Sequence, residues 1–295
     1  MRLDEEKTVN ALGIAYAQVA GNQQSSADTT LTKRMQPAFA ARSGVFSAYL
    51  ARVGVTGARN IIDGKYNYYR VYLHDRCDRS VLTKDLGKEY MIGRLSYKLY
   101  PVCGMCMGSI GSTLKIMEDN NLKPEEIESI EIGTSSQAID TCAEPTEVKF
   151  NPQTVVDAQF SIPFAVATVI TKGKLNLSDL TNEGIHDPEM LEMIKKVHVH
   201  VDEDIEKNFS RGVPPAKVTI KTNRGTFTAN APQKGHPSNP ISVDDMKDKF
   251  LDAMNFAVYP VKPGAPEKIL DMIDHLEDLD DINVLIQAYN DAFIR

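Results

Sequence analysis

A surplus of positive charge is missing from this 295-residue chain: 33 lysines and arginines face 40 aspartates and glutamates, for a net charge of −7. With no clustered basic excess to neutralise phosphates, nucleic acid is not expected as the principal partner, although an acidic protein can still gather a few cations at one pocket for a small anion. Long apolar runs are missing too. No stretch approaches the roughly 18 residues of a membrane span, so no membrane insertion is expected. Cysteine is scarce, and four in a chain this long do not make a disulfide scaffold, which points to a reducing cytoplasm. A secretory leader is not expected either, because Asp4, Glu5 and Glu6 place negative charge where a leader carries positive charge, and Gln18 interrupts the weakly apolar stretch 11–21. There is no internal repeat and no low-complexity run.

What is present is ordinary globular material. A composition of 42% hydrophobic and 25% charged residues supports a substantial core, and at about 150 residues per domain the length fits about two domains. Val9, Leu12, Tyr16 and Val19 recur at helical spacing, with Gly13, Ala17 and Ala20 on a small face that would admit a second helix closely. That second helix is expected to start near Pro37, a residue suited to a first turn, and to run towards Gly54. A helix through Leu114–Met117 ends in the polar stretch 118–121, and a strand follows at Ile127–Ile132. The segment 154–171 is apolar enough for a buried helix that Pro163 must kink or split. Val197, Val199 and Val201 alternate with His198 and His200 in period two, and 216–222 with 226–230 form a hairpin around Gly225. Ser242 followed by Asp245 forms a capping pattern before a helix, and 269–276 and 282–293 supply the last helices. The expected fold class is α+β: an all-helical domain formed by both chain ends, 1–95 and 243–295, around an inserted smaller α/β domain at 96–242.

Several motifs stand in a collinear series. Residues 32–44 read Thr-Lys-Arg-Met-Gln-Pro-Ala-Phe-Ala-Ala-Arg-Ser-Gly, after an opening Ala-Leu-Gly-Ile-Ala at 11–15. Lys-Leu-Tyr-Pro-Val-Cys follows at 98–103, Asp-Ala-Gln-Phe-Ser-Ile-Pro-Phe-Ala at 157–165, and Gly-His-Pro-Ser-Asn-Pro at 235–240, running into Lys249-Phe250. Leu-Glu-Asp-Leu-Asp-Asp at 276–281 closes the series. Over essentially its whole length the chain resembles the MmgE/PrpD family, which includes 2-methylcitrate dehydratases, cis-aconitate decarboxylases and iminodisuccinate epimerases.

The resemblance implies a substrate cleft where a helical and a smaller α/β domain meet, and a small di- or tricarboxylic acid as substrate. It also implies chemistry without metal or organic cofactor, by proton removal or addition next to a carboxylate. Such chemistry needs a base, and cations that hold the carboxylates and stabilise the charge that develops. The family's two active-site lysines carry over to Lys33 and Lys98, with Arg34 and Arg42 as further substrate-binding candidates. Where many relatives carry histidines after these two motifs, this chain has Gln36 and Met107, neither able to accept a proton at neutral pH. Relatives also begin with roughly one further domain's worth of residues, which carries an aspartate and a histidine of the cleft. The resemblance therefore implies a homo-oligomer, or a partner chain supplying the missing N-terminal helices.

Other constellations are weaker. Cys103 and Cys106 form a CxxC without a second pair for zinc; at a helix N-terminus Cys103 would be a stabilised thiolate and a catalytic candidate, or else packing. His198 and His200 share a strand face but lack identifiable further ligands. Glu277, Asp278, Asp280 and Asp281 mark a solvated helix boundary. Tyr66, Tyr68, Tyr69 and Tyr72 could stack a base, or pack against one another or an oligomer surface. Two functions stay open: a cofactor-independent lyase or isomerase of polycarboxylates that uses Lys33, Lys98 and Cys103, and a non-catalytic relative that keeps a carboxylate-binding groove.

Overall fold

Asp4 starts the first helix by accepting a hydrogen bond from the Lys7 amide at 2.8 Å, and Glu5 and Glu6 set negative charge against the positive end of the helix dipole. The computed structural model describes residues 1–28, 30–209 and 212–294. Contacts divide the chain into two units, 1–90 and 91–295.

In the first unit, α1 spans Glu5–Tyr16 and α2 spans Thr32–Arg52, and the two pack together. The small face of α1 does more than admit a helix. The backbone of Gly57 and Ala58 closes on Gly13, and a Cβ on Gly57 would collide with Asn10 and Ile14. Asn10 fixes this crossing by accepting from the Gly57 amide at 3.2 Å. The start of α2 differs from expectation, because Pro37 lies inside the helix rather than at its first turn. Gln36 holds the preceding loop: its side-chain nitrogen donates to the Asn22 carbonyl at 2.9 Å and to the Ser25 hydroxyl at 2.7 Å, and its oxygen accepts from the Asn22 amide. Three of the four tyrosines pack on one another, Tyr68 against Tyr69 and Tyr72, with Tyr72 edge-on to Tyr16 at 6.3 Å between centroids, whereas Tyr66 is exposed under Lys65.

The second unit is mixed α+β with one small four-stranded sheet. α3 (Met107–Asp119) precedes β1 (Ile127–Thr134). The segment expected to break at Pro163 does so: a short helix at Val155–Gln159 ends, Ser161 caps the next through its hydroxyl, and Pro163 falls in the first turn of α4 (Ile162–Lys172). Then come α5 (Pro188–Ile194), β2 (Val197–Val201), β3 (Lys217–Thr222) and β4 (Gly225–Ala229). The sheet order is β2-β1-β3-β4, with β1 parallel to β2 and the other pairs antiparallel. Ile130, paired with Val197 on one side and Ile220 on the other, is fully buried at its centre. Gly225, at φ +140°, closes the hairpin, where a side chain would be strained. Along β2, burial falls from Val197 to an exposed Val201.

Ile110, Ile116, Ile162, Phe164 and Val166 from α3 and α4 form the main core with the sheet. Gly108 lets the backbone of 214–216 cross α3 at 2.9–3.1 Å from where a Cβ would sit, and Ser112 ties the crossing by donating to the Ala216 carbonyl at 2.7 Å. A second, smaller core around Met254, Ile269 and Ala292 joins α6 (Val243–Asn255), α7 (Ala265–Asp274) and α8 (Asn283–Asp291). No helix among the described residues is long and apolar enough to cross a membrane.

Candidate functional site

Four of the sequence motifs meet in the second unit. The Tyr97 amide donates to the Gly235 carbonyl at 2.8 Å. Gly235 sits at φ +97°, and a Cβ there would collide with the Tyr97 carbonyl, so the Gly-His-Pro turn docks directly on the residue before Lys98. That turn leads into α6, capped by a reciprocal pair in which Ser242 and Asp245 each satisfy the other's backbone amide. Two turns along α6, the Lys249 ammonium donates to the Lys98 carbonyl. On the other side of the motif, the Cys103 amide donates to the Gln159 carbonyl at 2.7 Å, bringing in the segment before α4.

Lys98 and Lys249 are thus neighbours although 151 positions apart. Both remain open to solvent, and neither is in an ion pair among the described residues. Partial sheltering of Lys249, and then the charge of Lys98, lower its proton affinity below that of an ordinary lysine. Asp245, Asp248, Lys249 and Asp252 lie at spacings of three and four on one face of α6. This face lines a cleft of about 520 Å³ with residues 99–101 and 173–177. Two of the cleft carboxylates have other partners: Asp245 pairs with Lys234 at 2.7 Å, and Asp252 accepts from the Leu177 amide at 3.2 Å. Tyr100 also lines the cleft, and burial, aided by Asp245, pushes its hydroxyl up to about 12, so it is a neutral donor at physiological pH.

Cys103 does lead into a helix, through a short 3-10 turn at Gly104–Cys106, but it is not held as a thiolate. Its hydrogen bond with Cys142, then burial, push the thiol up, against a smaller opposing effect of Lys98. Cys142 is pulled down by Cys103, but its bond with Cys106 and its burial outweigh that and push it up as well. All four cysteines are free. Behind them lies Lys149, a buried lysine 6.0 Å from the Phe160 ring centre. Among the described residues no group of three or more His, Cys, Asp or Glu is gathered as a metal site would require.

In the first unit, Lys33, Arg34 and Arg42 are exposed along α2. Arg42 lies over the Phe39 ring at 6.0 Å and, with Gln36, lines a largely apolar groove of about 760 Å³ between α1, α2 and residues 61–68. Lys33, one turn before Gln36 on α2, is not among the residues that line this groove. Met107 is buried in the main core, so both positions that replace the histidines of relatives carry packing or loop-holding roles.

The model of the MmgE/PrpD C-terminal domain matches residues 100–275, and that of the MmgE/PrpD N-terminal domain matches residues 1–79. The chain belongs to the MmgE/PrpD family. Among its relatives, the cis-aconitate decarboxylase-like protein oryM of Aspergillus oryzae is 26% identical over 84% of this chain and 53% of its own length. Cis-aconitate decarboxylase of Aspergillus terreus is 22% identical over 98% of this chain and 60% of its own length. The human cis-aconitate decarboxylase is 22% identical over 96% of this chain and 57% of its own length. This MmgE/PrpD chain therefore spans little more than half the length of the curated relatives it matches.

Lys249 is the residue that sequence reasoning missed as a site candidate. The Lys-Phe pair was visible as a motif, but nothing in a linear pattern tells that its ammonium reaches the Lys98 backbone.

Proposed function

We propose that this MmgE/PrpD chain serves a lyase or isomerase reaction on a small di- or tricarboxylic acid, begun by removing a proton next to a carboxylate. The observation that carries this reading is the meeting of Lys98 and Lys249, where family motifs converge: the Lys249 ammonium reaches the Lys98 carbonyl, and neither lysine is in an ion pair among the described residues. Loss of a proton beside a carboxylate moves charge onto that carboxylate, and a positioned ammonium stabilises it more strongly in the transition state than in the ground state. Lys98 takes this role in the second unit, and Lys33, Arg34 and Arg42 are the anion-binding candidates of the first. Cys103, as a neutral thiol, shapes the wall beside Lys98.

Gln36 and Met107 cannot act as bases. The proton acceptor belongs instead to the portion of the architecture that the relatives carry beyond the matched length, in a longer chain or in a partner subunit. Four free thiols support a reducing, cytoplasmic setting.

A second reading, a non-catalytic subunit that only binds the acid, draws on the same two positions, because neither Gln36 nor Met107 transfers protons. Proton NMR in D2O of cis-aconitate and related small polycarboxylates, incubated with the chain, separates the two. Reaction or exchange at a carbon next to a carboxylate, abolished by Lys98→Ala, supports the enzyme. Binding without either supports the subunit, and the absence of binding contradicts both.

A further inference from the structure

We propose that Lys98 and Lys249 together form a paired-cation subsite that grips one carboxylate of the organic acid, with the Tyr100 hydroxyl as a neutral donor at its edge. The proposal rests on the polycarboxylate reading above and assigns Lys249 a role in it.

The Lys98 charge disfavours the charged form of Lys249, and a bound anion relieves that repulsion. The carboxylates at hand do not join the two lysines: Asp245 is committed to Lys234, and Asp252 to the Leu177 amide. Asp248, although in the same cleft, makes no ion pair with either lysine. The bond from the Lys249 ammonium to the Lys98 carbonyl holds Lys249 at the backbone from which the Lys98 side chain extends. A carboxylate with two oxygens matches two ammonium donors. The apolar parts of Leu99, Pro101, Leu175 and Leu251 in the cleft wall suit the carbon frame of an organic acid, which a bare phosphate lacks.

Calorimetric titration with citrate, a tricarboxylate, tests the pair. Lys249→Met and Lys98→Met are each expected to weaken citrate at least tenfold. The double variant should be far less than a hundredfold weaker, because both lysines serve one carboxylate. Lys249→Arg should stay within threefold, and Lys195→Met, an exposed control paired with Glu192, should match the wild type. Inorganic phosphate should compete only weakly. Reductive methylation with carbon-13 label gives a readout independent of activity, and it still decides the matter if Lys249→Met does not fold. The Lys249 resonance should titrate below those of other lysines, move up when citrate binds, and move up without citrate in Lys98→Met. Unchanged citrate affinity in Lys249→Met, a Lys249 resonance indifferent to both citrate and Lys98→Met, or no citrate binding by the wild type would overturn the proposal. If an acid is turned over while Lys249→Met leaves affinity and KM unchanged, the subsite fails and the functional reading stands. If citrate binds at the pair but no acid reacts, the subsite stands and the catalytic reading fails.

Discussion

Gly235 carries a large share of the positioning of Lys98. Its positive φ and its contact with the Tyr97 carbonyl leave no place for a methyl group. Gly235→Ala is expected to cost about 1–3 kcal/mol or more, measured by urea unfolding, and to weaken citrate binding by displacing the segment that bears Lys98. Ser242→Ala removes one half of the cap on α6 and should cost about 1 kcal/mol. Asp245 adds a pH signature. Lys234, then Ser242, hold its carboxyl below the usual range in the fold. The stability it contributes is therefore complete above the ordinary carboxylate value of 3.8 and is lost as pH falls through the lowered folded value. Asp245→Asn should flatten the acid limb of the stability profile, and an unchanged limb would contradict the assignment. At this scale Lys98 was legible because it stands inside a recognisable motif. Lys249 was not, because its place depends on a long-range contact that no local periodicity encodes. The choice between a reactive and a packed Cys103 stayed open in the sequence for a related reason. Position at a helix start is visible in sequence, whereas the buried thiol of Cys142 beside it is not.

Elements followed their sequence cues where one local rule dominated. Pro163 split a long apolar segment, Gly225 closed a hairpin, and Ser242 with Asp245 opened α6, each through a backbone requirement that few residues meet. The start of α2 escaped because Pro37 is tolerated inside the helix while Gln36 anchors the preceding loop. The small face of α1 escaped because glycine permits close approach without saying by what, and here the extended backbone at 57–58 also uses it. The helix with the clearest structural duty is α4, buried along most of its length and packed chiefly against α3 and α5, with β2 beside it. Phe164, fully buried in it, is expected to cost about 3–5 kcal/mol on replacement by alanine, read as a fall in the midpoint of thermal unfolding. A change below about 1 kcal/mol would mean that the main core is not centred there.

For the molecule as a whole, the acidic balance and the paired lysines are compatible because charge acts locally at a cleft while net charge describes the entire surface. The exposed apolar side chains point to association. In the first unit Phe39, Phe46 and Tyr49 of α2, each more than 40% exposed, lie at helical spacings with little covering them, more than isolated surface hydrophobes require. Sedimentation at micromolar concentration should show self-association, or a complex with a partner that supplies the rest of the longer family architecture. A monodisperse monomer would contradict this. The most direct test of the central claim, that a small polycarboxylic acid is held at Lys98, is calorimetric titration of cis-aconitate into the chain and into its Lys98→Ala variant. Saturable binding by the wild type with at least a tenfold loss in the variant is the expected result, and equal affinity, or no binding to either, would contradict it.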